Sequence, residues 1–243
     1  MPQWAFLKLA INNFMQTGDA ILIKLRLRFS KTGPLRFIGH LDLLKVFQQT
    51  IRRAGLPMAY SQGFNPHMLL SFALPLPLGM TGCNDYADIT LENRMPPADI
   101  VSRFNANAPT GLHLKDVWEF EGPGAAALVS AADYLLKLPT DAKRDDIIVT
   151  VQALLNRETI VIPKKTKSGI KDTDIRSDIF DITVGDTDIL LRLAAGSGRF
   201  LNPLIVAKLI LGHDVPPSLM IRQELYSDLQ KKPIGALAYE SEG

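Results

Sequence analysis

Four histidines and one cysteine are the groups in this chain suited to proton transfer or nucleophilic chemistry near neutral pH. His40 opens a segment of helical periodicity, with Asp42 two residues on, and His67 ends a loop rich in polar groups: Tyr60, Ser61, Gln62 and Asn65. Two converging imidazoles can act as general base and general acid. Metal-independent RNA cleavage needs a base for the 2′-hydroxyl and an acid for the leaving oxygen, so His40, His67 and Tyr60 are the candidate catalytic residues. The plainer reading, which we prefer, is that His40 caps its helix and His67 pins the loop by hydrogen bonds. His113 and His213 stand alone in unpromising surroundings.

Metal and cofactor chemistry find little to build on. His40, His67 and Asp42 match no compact ligand spacing, so no metal is expected. Cys83 is the single thiol. It allows no intramolecular disulfide, four-cysteine zinc site or iron–sulfur cluster from this chain alone, and no basic neighbour in the sequence lowers its pKa. The chain lacks a P-loop, G-x-G-x-x-G, H-E-x-x-H and G-x-S-x-G, which leaves ATPase and dehydrogenase readings without support.

Charge points in a different direction. Residues 21–60 hold eight basic side chains, Lys24, Arg26, Arg28, Lys31, Arg36, Lys45, Arg52 and Arg53, against the one acid Asp42. That local charge of +7 stands in a chain whose total is +2. Lys24, Arg26, Arg28, Lys31, Arg36, Arg52 and Arg53 are therefore the candidate RNA-binding residues, a patch suited to phosphate. The plainer reading is that they solvate strand and helix exteriors. A second cluster, Lys164, Lys165, Lys167 and Lys171, has the character of a flexible basic arm, weakened by Asp172, Asp174 and Asp178 directly after it. In the loop between 60 and 67, Gly63, Asn65 and Pro66 fix the backbone, and Gln62 and Asn65 are placed to read a nucleotide edge or a peptide. Phe64 is expected to be a buried anchor, the alternative being an exposed ring for a base to stack on.

The elements that must carry these residues follow from periodicity. Residues 21–30 alternate as a strand with a basic outer face. Residues 40–54 form a helix with Leu41, Leu44, Phe47, Ile51 and Ala54 on its apolar stripe and Gly55 as its stop. Strands are expected at 57–60, 86–91 and 112–120, with a helix at 97–107; 71–78 is expected as an edge strand or extended loop, because of Pro75 and Pro77. The second half repeats the order: strand 132–138, helix 141–156, a strand beginning at 160, strands 179–184 and 187–194 around a Gly185–Asp186 turn, helix 203–211 and strand 218–225. The expectation is an α+β fold of two ferredoxin-like (β-α-β-β-α-β) modules in tandem, residues 21–121 and 128–230, with an N-terminal extension 1–20 and a tail 231–243. Of 243 residues, 47% are hydrophobic and 21% charged, which is ordinary globular composition. No run of about 18 apolar residues marks a membrane span. The first 20 residues lack the features of a signal peptide, and Met1 or Met15 could be the true start.

Three stretches carry a resemblance: RFSKTGPLRFIGHLDLLKVFQQTIRRAGLP, AYSQGFNPHMLLSFALPLPLG and KSGIKDTDIRSDI. They resemble the signature of a bacterial family of unknown function fused to, or encoded beside, radical SAM proteins. The matched positions include Gly33, Arg36, His40, Asp42, Gly55, Tyr60, Ser61, Gln62, Gly63, Asn65, Pro66, His67, Asp174 and Arg176. The resemblance implies a cytoplasmic bacterial protein that works with a radical SAM partner. The iron–sulfur cluster and S-adenosylmethionine are then expected only in that partner, with no cofactor in this chain. The family's genomic setting, near ribosomal proteins and an RNA-processing enzyme, implies RNA rather than DNA. After Asn65-Pro66-His67 the family usually carries a proline and a basic residue, where this chain has Met68, Leu69 and Leu70; a phosphate contact made there in relatives is missing here. Tandem ferredoxin-like modules are also similar to CRISPR repeat-associated RNA-binding proteins, some of which cleave RNA with a histidine on the first helix, though fold alone does not fix function.

The functional expectation is an accessory that binds or presents RNA to a radical SAM enzyme. The alternatives are a metal-independent ribonuclease using His40 or His67, and a protein-interaction module docking on the radical SAM or a ribosomal partner.

Overall fold

The computed structural model describes residues 22–166, 169–227 and 233–235. Expectations for residues 1–20, for Lys167 and for most of the tail lie outside them. The first half of the chain runs β1 (Ile23–Lys31), α1 (His40–Arg53), β2 (Leu70–Phe72), β3 (Thr81–Leu91), α2 (Pro97–Asn107) and β4 (Leu112–Glu119). A short helix α3 (Ala125–Leu128) follows. The second half runs β5 (Ala131–Lys137), α4 (Arg144–Leu155), β6 (Val161–Thr166), β7 (Gly169–Asp174), β8 (Ile179–Val184), β9 (Asp188–Ala194), α5 (Pro203–Leu211) and β10 (Met220–Tyr226). The fold is α+β. Among the described residues no helix is long and apolar enough to cross a membrane.

One sheet joins both halves, in the order β4-β1-β3-β10-β5-β9-β8, with β2 also paired to β3. Within the first half the order is β4-β1-β3-β2, and within the second β10-β5-β9-β8. The pairings inside each half are antiparallel. The halves meet where β10 runs parallel to the start of β3, at Ile221↔Thr81 and Arg222↔Gly82. β6 and β7 stand apart as a two-stranded ribbon.

Alternation decides the two faces of the sheet. Leu25, Leu27 and Phe29 of β1 turn toward the helices and pack with Leu43, Phe47 and Ile51 of α1 and Ile100 and Phe104 of α2. Phe47 touches the rings of Phe29, Phe72 and Phe104 at centroid distances of 4.8, 4.9 and 5.4 Å. Burying such a ring contributes roughly 1.5–3 kcal/mol. The expected stripe on α1 is corrected here: Leu43, Phe47 and Ile51 face the core, four residues apart, while Leu41 is 70% exposed. The expected strand 57–60 reduces to isolated bridges, Met58↔Leu91 and Tyr60↔Met68. The segment 71–78, expected as an edge strand or extended loop, pairs only at its start, within Leu70–Phe72, because Pro75 and Pro77 offer no ladder donor.

A buried ion pair sits at the junction of the halves. Arg222 of β10, 1% exposed, donates from Nε to Asp85 Oδ1 at 2.7 Å, and to the carbonyls of Pro75 at 3.1 Å and Leu74 at 2.9 Å. Gly82 makes room for it: a Cβ there would lie 2.2 Å from Asp85 Oδ2. Lys31 is buried too. Its ammonium donates to the Ile38 carbonyl at 2.9 Å, and burial pushes its pKa down.

Candidate RNA interface

The basic patch expected from residues 21–60 is not one surface. Lys24, Arg26 and Arg28 of β1 lie on the sheet face away from the helices, whereas Arg52 and Arg53 end α1 on the helix side. The outer face of β1 is not solvent-facing throughout, which corrects the reading of a solvated basic strand. Arg26 is 2% exposed. Its Nε donates to Asp88 Oδ1 at 2.7 Å, its Nη2 donates to Asp88 Oδ2 at 3.1 Å and the Pro123 carbonyl at 3.1 Å, and its guanidinium lies 4.2 Å from the Phe120 ring centre. Asp88 also accepts from the Ala125 amide at 2.6 Å. The pair therefore pins the 120–128 linker across the sheet. Arg28 is bound to Asp116, and Lys31 points inward. Arg53 donates to the Asn107 carbonyl at 3.1 Å at the end of α2. Arg36 lays its guanidinium 4.7 Å from the Phe37 ring centre, and its Nε is buried without a hydrogen-bond partner among the described residues. Lys24 and Arg52 are exposed, and neither has an ion-pair partner among the described residues.

The loop 61–67 is a closed protrusion. Ser61 N donates to the His67 carbonyl at 2.9 Å, His67 N donates to Ser61 Oγ at 3.1 Å, and the same hydroxyl meets His67 Nδ1 at 2.7 Å. His67 thus pins the loop, as the plainer reading has it. Gln62, Gly63, Asn65 and Pro66 are exposed, and Gly63 takes φ 125°, a backbone conformation that favours glycine. Phe64 at the tip is fully exposed, which corrects its expected role as a buried anchor. The reason is geometric: a loop closed on itself beyond the Tyr60↔Met68 bridge cannot reach the core.

Beside this loop two cavities of 860 and 310 Å³ share Lys24, Phe120 and Gly122, and so form one trough along the sheet. The smaller is lined by His67, Ser71, Asp88 and Thr90, and the larger by Arg94, Trp118, Glu119 and Glu121. Arg94 donates to Glu119 at 2.8 Å. Trp118 rests edge-on against Tyr86 at 6.2 Å. The Tyr86 hydroxyl in turn donates to Glu224 at 2.7 Å across the junction of the halves, and burial raises the pKa of that carboxyl.

The histidines are not brought together. His40 packs edge-on against Phe72, 5.5 Å between centroids, on the helix side of the sheet, while His67 lines the trough on the other side. His40 does not cap α1 either: Gly39 occupies the cap, with no side-chain cap bond. Tyr60 is partly exposed beside the loop, without a hydroxyl partner among the described residues. A base–acid pair from His40 and His67 is therefore not assembled. Cys83 has its thiol pKa pushed up by burial, away from the range of a reactive thiolate.

The second motif holds structure in place. Asp174 accepts from the amides of Arg176 at 3.0 Å and Ile160 at 2.8 Å, which hold its carboxyl below the usual range. Arg176 donates to the carbonyls of Leu155 at 2.9 Å, Ile179 at 3.1 Å and Arg157 at 3.2 Å. It thereby ties the end of α4 to the base of the β6–β7 ribbon. Sequence reasoning missed Trp118, Phe120 and Arg94. The signal available was two aromatic residues two positions apart at the end of a strand, which places them on one face.

Residues 24–203 match a family described as an uncharacterized protein conserved in bacteria (DUF2344). No curated protein matches the chain. Among solved structures it is similar to a chain in the crystal structure of a Cbf5-Nop10-Gar1 complex, with 15% identity and a TM-score of 0.42. That likeness covers 84% of this chain and spans half the length of the other.

Proposed function

The chain belongs to this family of uncharacterized proteins conserved in bacteria, and from that premise we propose that it is an RNA-binding accessory that presents single-stranded RNA to a radical SAM partner. We read its two halves as ferredoxin-like modules in tandem, a reading supported by the strand order that each half repeats. The observation that carries the RNA reading is the fully exposed Phe64 ring on a closed loop, beside a trough lined by Phe120, Trp118 and the exposed ammonium of Lys24. An exposed ring stacks on any base, and an ammonium meets the backbone, which is how sequence-tolerant single-strand binders work. The bases would not lie flat on the central strands, because the linker held by Asp88 already covers β1 and β3 there. The radical SAM partner is supported by the resemblance of the three motif stretches. Cys83 as the lone thiol leaves the cluster and S-adenosylmethionine to the partner.

The test is the affinity of the full chain for a short single-stranded RNA, read by fluorescence anisotropy. Phe64→Ala is expected to weaken it by about 5- to 100-fold, the value of one base–aromatic stack. Unchanged affinity would remove the reading's main support.

A second reading, the protein-interaction module, is favoured by one observation. Phe37, Leu41 and Leu78 are 62%, 70% and 59% exposed, and a hydrogen bond from Gly79 N to the Arg36 carbonyl at 2.7 Å brings their segments side by side. Exposed apolar groups gathered in this way mark docking surfaces. Leu41→Glu abolishing capture of the radical SAM protein, with RNA affinity retained, would support this reading.

A further inference from the structure

We propose that the β6–β7 ribbon is a second phosphate-binding element, an arm that clamps the same single-stranded RNA; the inference rests on the RNA reading above. In sequence this segment mixes four lysines with three aspartates and looks compromised as a polyanion site. The register sets Lys164 and Lys171 apart from Asp172 and Asp174. β6 and β7 pair as Ile162↔Thr173, Pro163↔Asp172 and Lys164↔Lys171. Alternation then places Ile162, Lys164, Lys171 and Thr173 on one face, and Val161, Pro163, Ile170, Asp172 and Asp174 on the other. The basic face thus carries Lys164 and Lys171 and no acid.

Burial confirms which face is which. Ile162 is half-buried against the core of the second half, whereas Val161 and Ile170 are 59% and 77% exposed. The lysine face therefore turns toward the body of the protein at its base. Lys164 and Lys171 are exposed and directly opposite each other, an arrangement that costs stability through like-charge repulsion. Neither has a carboxylate partner among the described residues. Two opposed ammonium groups are relieved when a phosphate lies between them. A free two-stranded hairpin would be marginal in water, and here the Arg176 and Asp174 bonds to α4 and Ile160 fix its base. A pinned ribbon with a positive inner face suits the backbone of a nucleic-acid strand.

The experiment measures RNA affinity against salt for the full-length wild type, Lys164→Ala/Lys171→Ala, Asp172→Ala and Phe64→Ala. The double lysine variant is expected to be at least as stable as wild type, because repulsion is removed. Its log–log salt slope is expected to fall by about 1.4, two phosphate contacts at about 0.7 each for a single strand. Asp172→Ala, altered on the opposite face, is expected to leave the slope unchanged. If the double variant keeps the wild-type affinity and slope while Phe64→Ala weakens binding, the arm is refuted and the RNA reading stands. If it keeps RNA binding but loses capture of a protein partner, the ribbon docks on an acidic protein surface instead, which also overturns the proposal. Absence of RNA binding by wild type overturns both.

Discussion

Replacing Arg26 separates a structural cation from a phosphate-binding one. Arg26 and Asp88 are joined by two hydrogen bonds of 2.7 and 3.1 Å, with the side chains 2% and 10% exposed. In Arg26→Met the Asp88 carboxylate keeps only the Ala125 amide as donor. Leaving one partner of a buried pair uncompensated costs about 3–5 kcal/mol. For a chain of this size that lowers Tm by about 6–20 °C, at about 2–4 °C per kcal/mol. The double variant Arg26→Met/Asp88→Asn keeps an acceptor for Ala125 and leaves no buried charge. Its cost should be about 1–2 kcal/mol, that of the hydrogen bonds lost, so the two changes couple by at least about 2 kcal/mol. Urea unfolding of the wild type, the two single variants and the double variant closes the cycle. The salt slope of RNA binding should be the same for Arg26→Met as for wild type. A variant of wild-type stability with a shallower slope would show a free guanidinium that contacts phosphate, and would overturn the assignment of Arg26 as a structural cation.

Three further outcomes are expected. Arg176→Ala removes a donor shared by three carbonyls, and should cost about 2 kcal/mol, seen as faster amide exchange in β6 and β7 ahead of the main sheet. Ser61→Ala takes the acceptor from His67 N and should cost about 1 kcal/mol, with a several-fold loss of RNA affinity as the loop loosens. Glu224 holds its proton more tightly folded than unfolded, because burial raises its pKa. Its contribution is most favourable below the ordinary carboxylate value of 4.5 and is lost as pH rises through the raised value. Unfolding free energies from pH 4 to 8 should therefore show a downward component in wild type that is absent in Glu224→Gln.

Long periodic segments were legible in the sequence. α2 and α5 run over 97–107 and 203–211 as expected, since Pro marks each start and the apolar spacing is clean. Short elements were not: Pro57 to Tyr60 shows strand-like residues but makes only bridges, because neighbours rather than propensity decide a ladder. The site was legible as residues and not as surfaces. Eight cations in 40 residues read as one patch, but Asp88 and Asp116, both beyond the end of that segment in sequence, neutralise two of them in space. Phe64 read as an anchor because large aromatics are usually buried, and only the Ser61–His67 closure shows why it cannot be. In the ribbon, only the cross-strand register shows that Lys164 and Lys171 lie opposite each other and away from Asp172 and Asp174.

RNA binding at the loop and trough is tested most directly by ultraviolet crosslinking of the full chain to RNA in cells, with the crosslinked peptides sequenced. Adducts are expected on the 61–67 loop and on the 118–124 segment of the trough, lost at the loop in Phe64→Ala. Recovery of no RNA above background, or adducts confined to the Arg52–Arg53 end of α1, would contradict binding at the loop and trough.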